Sequence, residues 1–218
     1  MPGFMLSVKK RRWLSATTFE LTFARPTDLD YLPGQRIRLS YRSIERDYSL
    51  LSSPADPEIT ICVQRVTGGG LSPLLADLAP GQTVSARGPF GYFLWHPAAR
   101  PAVCVATGTG IAPFVAFVRS GARPHLLLHG ARSFAELHYR ETLATAAGTY
   151  MPCLSGPERA DDEKTEIFKG YVTAYLSRHL PSGSYDFYLC GRGDMIREAT
   201  LLADRRFPGS HVFTEIFY

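Results

Sequence analysis

Three short stretches of this chain carry residue types that hold phosphates and flat rings. Thr107-Gly108-Thr109-Gly110-Ile111-Ala112-Pro113 follows the apolar run Ala102-Val103-Cys104-Val105-Ala106 and opens a helical pattern. Glycines there let the backbone approach a diphosphate closely, and a helix N-terminus adds N–H groups and the positive end of a dipole. Arg46-Asp47-Tyr48-Ser49 lies in a strand-like segment, so Arg46 and Tyr48 share a face. An arginine clamps a phosphate bidentately, a tyrosine lies flat on an aromatic ring, and a serine hydrogen-bonds a ring nitrogen. That set suits a flavin nucleotide; taken alone, the four residues also fit an exposed, salt-bridged strand. Gly68-Gly69-Gly70-Leu71-Ser72 precedes Leu74, Leu75 and Leu78 at helical spacing, which makes a second phosphate cradle or a flexible hairpin end. Two cradles in one chain fit two dinucleotides.

The elements that must position these residues divide the chain in two. Phe19, Leu21 and Phe23 alternate with polar residues, as do Ile37, Leu39 and Tyr41, and then Ile59, Ile61 and Val63. That period predicts half-buried strands. Pro33-Gly34, Ser53-Pro54, Pro80-Gly81 and Gly88-Pro89 supply turns between them. Short strands so punctuated predict an antiparallel β-barrel, interrupted by one helix near Ser72–Leu78. The composition shifts at His96-Pro97 and Arg100-Pro101, a linker signal. Beyond it, strands are predicted at Ala102–Ala106, His125–His129, Tyr150–Leu154, Tyr185–Cys190 and His211–Glu215. Helices are predicted between them at Ala112–Arg119, Phe134–Ala144, Tyr171–His179 and Asp194–Asp204. Alternation of this kind predicts an open parallel α/β sheet. Ser155–Lys169 is polar and reads as an exposed loop. The predicted architecture is a β + α/β two-domain chain, with the barrel over residues 1–98 and the α/β domain over 99–218.

In this order, the motifs resemble those of the ferredoxin–NADP reductase superfamily. Arg46-Asp47-Tyr48-Ser49 is similar to its Arg-x-Tyr-Ser flavin motif, and Gly69-Gly70-Leu71-Ser72 to its flavin diphosphate loop. Gly88-Pro89-Phe90-Gly91 is similar to the segment that closes the flavin domain. Gly108-Thr109-Gly110-Ile111-Ala112-Pro113 resembles the nicotinamide diphosphate loop, which Thr107 precedes. Cys190-Gly191 resembles the Cys-Gly motif beside the nicotinamide, and Glu215-Ile216-Phe217-Tyr218 the carboxylate-aromatic end. The resemblance implies roles. Arg46 pairs with flavin phosphate, Tyr48 stacks on the isoalloxazine, and Ser49 hydrogen-bonds near its N5. Gly70, Leu71 and Ser72 hold the flavin diphosphate. Cys190 and Glu215 seat the nicotinamide against the flavin, and Tyr218, with Phe217 as its rival, covers the other flavin face. Arg132 sits where the family reads the adenosine ribose. Gly156 and Tyr171 stand where NADP-preferring relatives often carry arginine, which tilts the expectation from NADPH towards NADH. Arg192 replaces the commoner proline after Cys190-Gly191 and faces the nucleotide or the partner. The implied flavin is FAD, with FMN as the alternative because the chain is short for the family.

Composition bounds the rest. A hydrophobic share of 45% and a charged share of 20% are ordinary for a globular protein. A net charge of +4 is too mild for a nucleic-acid binder. Lys9-Lys10-Arg11-Arg12 reads as a solvated strand edge or loop, or else as a docking patch for an acidic protein. Cys62, Cys104, Cys153 and Cys190 are widely spaced, without the pairs of a zinc or iron–sulfur site, so no metal is expected. Neither a signal peptide nor a membrane span is read, and the expected location is cytoplasmic. The leading functional expectation is an NAD(P)H-dependent flavoprotein oxidoreductase that passes electrons to a separate ferredoxin, oxygenase component or haem protein. The alternatives are a reductase of free flavin or other diffusible acceptors, and a non-catalytic electron-transfer subunit.

Overall fold

The computed structural model describes residues 3–96, 100–157 and 166–217. The chain divides into two compact units, Met1–Trp95 with Val115–Ser120, and His96–Phe114 with Gly121–Tyr218.

The first unit holds β1 (Phe4–Trp13), β2 (Thr18–Ala24), β3 (Arg36–Tyr41), β4 (Ile44–Ser49), β5 (Glu58–Gln64), α1 (Ser72–Asp77) and β6 (Thr83–Phe90). The strands pair antiparallel in the order β4-β3-β6-β1-β2-β5. Leu50, just past β4, bridges Ile61 of β5, so the two ends of the sheet meet and barrel edges are removed. The alternating apolar residues point inward: Phe19, Leu21, Ile37, Leu39, Ile59 and Ile61 are fully buried in one core. The alternation predicts a half-buried β2, but Thr18, Glu20 and Thr22 on its other face are buried too. Cross-strand partners make that possible. Glu20 accepts from Arg12 Nε at 2.8 Å, and the hydroxyls of Thr22 and Thr60 lie 3.1 Å apart. A polar group enters a buried face at little cost when its hydrogen bonds are met there.

Beyond β6 the chain alternates β7 (Ala102–Thr107), α2 (Ala112–Arg119), β8 (Leu126–Ala131), α3 (Arg140–Ala146), β9 (Thr149–Leu154), β10 (Phe168–Lys169), α4 (Val172–His179), β11 (Asp186–Arg192), α5 (Gly193–Arg206) and β12 (His211–Phe217), all in the second unit except the part of α2 from Val115 on. The strands of this unit are parallel, in the order β10-β9-β8-β7-β11-β12. Val105, Leu128, Phe187 and Leu189 pack with Leu176, Ile196, Ala199 and Phe207 in a core on the α4–α5 side. The chain steps outward from β7 and then returns to place β11 on the other side of β7. The reversal leaves a crevice at the carboxyl ends of β7 and β11, where open α/β sheets receive ligands.

Two predicted elements differ. The helix predicted over Phe134–Ala144 is instead a 3₁₀ turn, Phe134–Glu136, followed by α3. Tyr139 breaks it with φ +63°, while Leu137 and His138 are buried and the Arg140 guanidinium lies 4.4 Å from the centre of the Phe134 ring. Residues six apart on an α-helix point about 120° apart and lie about 9 Å apart along its axis, so the break brings these two together. The predicted loop Ser155–Lys169 ends in β10, which pairs with Cys153 and Leu154 of β9; residues 158–165 of it lie outside the described residues.

Candidate functional site

In the second unit, β7 delivers Thr107 to the crevice. Gly108–Ile111 forms a 3₁₀ turn that runs straight into α2, so the predicted glycine loop is already helical. Two close approaches fix it. A Cβ on Gly110 would lie 2.5 Å from the Cys190 carbonyl oxygen and 2.6 Å from Gly191 Cα. Gly191 has φ +133°, and a Cβ there would fall 2.2 Å from Thr107 Oγ1. The same Oγ1 accepts the Arg192 N–H at 3.0 Å. The ends of β7 and β11 are therefore bolted together by groups that leave no room for side chains.

Cys190 pairs with Ala106 on one side and Glu215 on the other, which puts these three in one row across the sheet. Cys190 is fully buried and Glu215 is buried as well. Burial pushes the Cys190 thiol well above its ordinary range, and the Glu215 charge adds to this. The group is a thiol at neutral pH and not a nucleophile. Burial likewise raises Cys104, and pushes Cys153 up to about 12.

These raised thiols carry a stability consequence. Below about pH 9, folded and unfolded chains both hold the thiol protons. Above it the unfolded chain sheds them while the folded chain keeps them, so stability is lost as pH rises. Each thiol is expected to cost on the order of 1 kcal/mol per pH unit, with the Cys153 contribution ending near pH 12. Denaturant melts at pH 8, 9 and 10 test this. A flat profile, or a Cys153→Ala variant with an undiminished slope, contradicts it.

Arg132 stands just past β8 and is exposed. Its N–H donates to Glu136 Oε2 at 3.1 Å and its carbonyl accepts the Gly156 N–H at 2.9 Å. A Cβ at Gly156 would lie 2.3 Å from that carbonyl oxygen, so position 156 has no space for a second cation beside Arg132. Arg192 is the exposed N-cap of α5, with its guanidinium 3.7 Å from Asp194.

In the first unit, β4 presents two different faces. Arg46 pairs with Leu39 and Tyr48 with Ile37, and Tyr48 packs against the barrel core. Burial raises the Tyr48 phenol, so it stays protonated. The exposed Arg46 guanidinium donates to the Glu45 carbonyl at 2.7 Å and makes no ion pair among the described residues. The opposite face carries the salt bridges: Asp47 to Arg38 at 2.6 Å and Arg36 at 3.1 Å, and Glu45 to Arg87 at 2.7 Å. Hydrogen bonding from Arg38 is the main reason the Asp47 carboxyl is lowered. The salt-bridged strand is therefore present on the Glu45–Asp47 face, while Arg46 and Tyr48 share the other. Ser49 ends the strand, buried, and its Oγ has no hydrogen-bond partner among the described residues. A buried hydroxyl left unpaired costs about 1–3 kcal/mol, and a ligand atom removes that cost. Gly70 lies against β4, where a Cβ would stand 3.3 Å from Ile44 Cγ2. Leu71 is buried and Ser72 Oγ accepts the Val66 N–H at 3.0 Å, which closes the glycine loop onto α1.

Three other readings meet the structure here. Tyr218 lies outside the described residues. The basic run occupies the second half of β1, which is exposed and pairs with β2 alone, because the β1–β6 ladder covers only Phe4–Ser7. Half its charge is committed internally, because Arg11 donates to the Ala76 and Leu78 carbonyls and Arg12 pairs with Glu20. Sequence reasoning missed His129, fully buried on β8, whose Nδ1 lies 3.0 Å from the Tyr150 hydroxyl. Burial lowers its pKa to about 3 and keeps it neutral. A polar residue ending the apolar run Leu126-Leu127-Leu128 was the available signal. Among the described residues, no cluster of three or more His, Cys, Asp or Glu could hold a metal, and no helix is long and apolar enough to cross a membrane.

Comparison with known proteins agrees with this division. Residues 5–95 match the oxidoreductase FAD-binding domain, and residues 104–200 the oxidoreductase NAD-binding domain. The fold and these matches define the two-domain architecture of an FAD-binding and an NAD-binding oxidoreductase domain. The chain is 35% identical to ferredoxin–NADP reductase B of Sorangium cellulosum, over 94% of this chain and 93% of that protein. It belongs to the ferredoxin–NADP reductase family. It is also 32% identical to the toluate 1,2-dioxygenase electron transfer component of Pseudomonas putida, over 89% of this chain and 61% of that protein. It thus spans about three fifths of the length of that relative and of several other oxygenase reductase components. Among solved structures, a cytochrome P450 reductase from Amycolatopsis superposes with a TM-score of 0.81 at 27% identity, covering 98% of this chain and 71% of that one. A ferredoxin NADP⁺ reductase from Neisseria gonorrhoeae, solved with FAD and NADP, shares the fold with a TM-score of 0.84 at 20% identity over the whole of both chains.

Proposed function

We propose that this protein takes a hydride from NADH or NADPH and passes electrons singly to a separate redox protein, through FAD held by residues 1–98. The observation that carries the reading is Ser49: a buried hydroxyl without a partner among the described residues, next to Tyr48 and three residues from Arg46, whose exposed head makes no ion pair there. An isoalloxazine ring with polar atoms along its edge answers that vacancy in hydrogen bonding. FAD would supply the exchange between a two-electron hydride and single electrons. Arg46 would hold its phosphate, Tyr48 would flank its ring, and Gly70, Leu71 and Ser72 would line its diphosphate. Tyr218 would cover the ring from its other side.

Residues 99–218 would bind the nicotinamide nucleotide. Thr107, Gly108, Thr109 and Gly110 would meet its diphosphate at the β7–β11 crevice, with Gly191 and Arg192. Cys190 and Glu215 would seat the nicotinamide, the first by shape and the second by charge. Arg132 would read the adenosine ribose. Arg132 as the cation there among the described residues, with position 156 closed, supports NADH over NADPH. The electron acceptor would be a ferredoxin, an oxygenase component or a haem protein, and the location cytoplasmic. Related proteins named as dioxygenase electron transfer components support the oxygenase class of partner.

The test is an anaerobic visible-spectrum titration of the purified protein with NADH and NADPH in parallel. A yellow protein bleached at near-stoichiometric nucleotide is expected. A colourless protein that consumes nucleotide only when FMN is added points to a reductase of diffusible flavin. A bound flavin that neither nucleotide bleaches points to an accessory subunit.

A further inference from the structure

The crevice at β7 and β11 ends in a cation that is only loosely engaged. Arg192 is anchored there through its backbone, whose N–H donates to Thr107 Oγ1 at 3.0 Å. Its side chain is 80% exposed, and glycines flank it on both sides. Gly193 has open space, with Ile216 Cγ2 the nearest neighbour of a notional Cβ at 3.9 Å. The guanidinium therefore extends into solvent from a backbone held at the strand's end. Its ion-pair partner among the described residues is Asp194, at 3.7 Å between Arg192 Nη2 and Asp194 Oδ2. Asp194 makes its shorter contact elsewhere, with Oδ1 at 2.7 Å from Arg197 Nη2, one turn along α5. One carboxylate thus divides between two arginines, and the arginine nearest the crevice has the weaker share.

We infer that Asp194 sets how tightly the protein holds the diphosphate of a nicotinamide dinucleotide, by competing with it for Arg192. The inference rests on the reading of the β7–β11 crevice as the dinucleotide's place. A diphosphate carries more charge than a carboxylate and accepts an arginine fork bidentately, so Arg192 transfers to it when the dinucleotide arrives. The exchange costs the Arg192–Asp194 contact. When the dinucleotide leaves, Asp194 takes the guanidinium back. Arg197 keeps Asp194 pointed along α5 throughout. Asp194 is a positioning residue that acts through Arg192, and its removal should therefore matter only while Arg192 is present.

The experiment is a double-mutant cycle read by calorimetric titration of the oxidised holoprotein with NAD⁺ and with NADP⁺, which bind without turnover. Arg192→Ala is expected to weaken the tighter nucleotide about tenfold, the share of one charge-assisted phosphate contact. Asp194→Asn is expected to tighten it about threefold, as befits an exposed pair. The double variant is expected to bind as Arg192→Ala alone does, and KM for the reduced nucleotide should follow the same pattern. Both side chains are exposed, and melting curves check that the three variants fold equally. Equal tightening by Asp194→Asn with and without Arg192 overturns the inference, because Asp194 is then a plain repelling charge. No change in either background overturns it as well. A wild-type protein that binds neither nucleotide and is bleached by neither defeats the underlying reading of the crevice instead.

Discussion

Gly110→Ala is expected to slow reduction of the bound flavin by nicotinamide about a hundredfold while leaving flavin content unchanged. The added Cβ would lie 2.5 Å from the Cys190 carbonyl oxygen, 2.6 Å from Gly191 Cα and 2.7 Å from the Cys190 carbonyl carbon. All three are backbone atoms, so no rotamer change relieves the contact. The 3₁₀ turn and the end of β11 must separate instead, by something approaching an ångström. Cys190 is part of that end, and Arg192 is tied to it through Thr107. A displacement of this size in a positioning element costs about two orders of magnitude in rate. The flavin residues proposed on β4 belong to the other unit and keep their own supports. Stopped-flow reduction with saturating NADH, beside an absorbance measurement of bound flavin, reads both quantities. A near wild-type rate would mean that the crevice does not place the nicotinamide. Joint loss of flavin and rate would mean that the substitution unfolds the chain, and a melting curve separates that case.

Ser49→Ala separates function from stability in the opposite direction. The Oγ is buried and unpaired among the described residues, so removing it takes away no internal hydrogen bond. The variant apoprotein is expected to melt at or slightly above the wild-type temperature, because an unpaired buried polar group is itself a cost. Flavin reduction is expected to slow about tenfold, the worth of one hydrogen bond to a reacting ring. Few buried polar residues give a loss of activity with no loss of stability, which makes the pair of measurements discriminating. Destabilisation of the apoprotein by more than about 1 kcal/mol would show that the hydroxyl serves the fold. An unchanged reduction rate would remove Ser49 from the proposed flavin contacts.

The sequence by itself determined the order of the motifs, the strand and helix alternation, and both architectures. Those depend on local matters: the period of apolar residues, the glycine and proline turns, and a glycine pair between a buried strand and a helix. Ala112–Arg119 is a helix with the predicted bounds, and His129 lies on the predicted second parallel strand. The tertiary structure decided what each motif residue is free to do, because partners come from distant strands. Asp47 of the flavin-type motif is spent on Arg36 and Arg38, whereas Ser49 two residues on is left unpaired. Arg11 and Arg12 are absorbed by Ala76, Leu78 and Glu20, so half of an apparent basic patch is internal bonding. The close approach of Gly110 to Cys190 and of Gly191 to Thr107 is invisible along the chain, since about eighty residues separate parts that sit too near each other in the fold to admit a Cβ. The helix expected through Tyr139 fails for the same reason. Burial of Leu137 and His138 and the stacking of Arg140 on Phe134 outweigh local propensity, which is worth only tenths of a kcal/mol per residue.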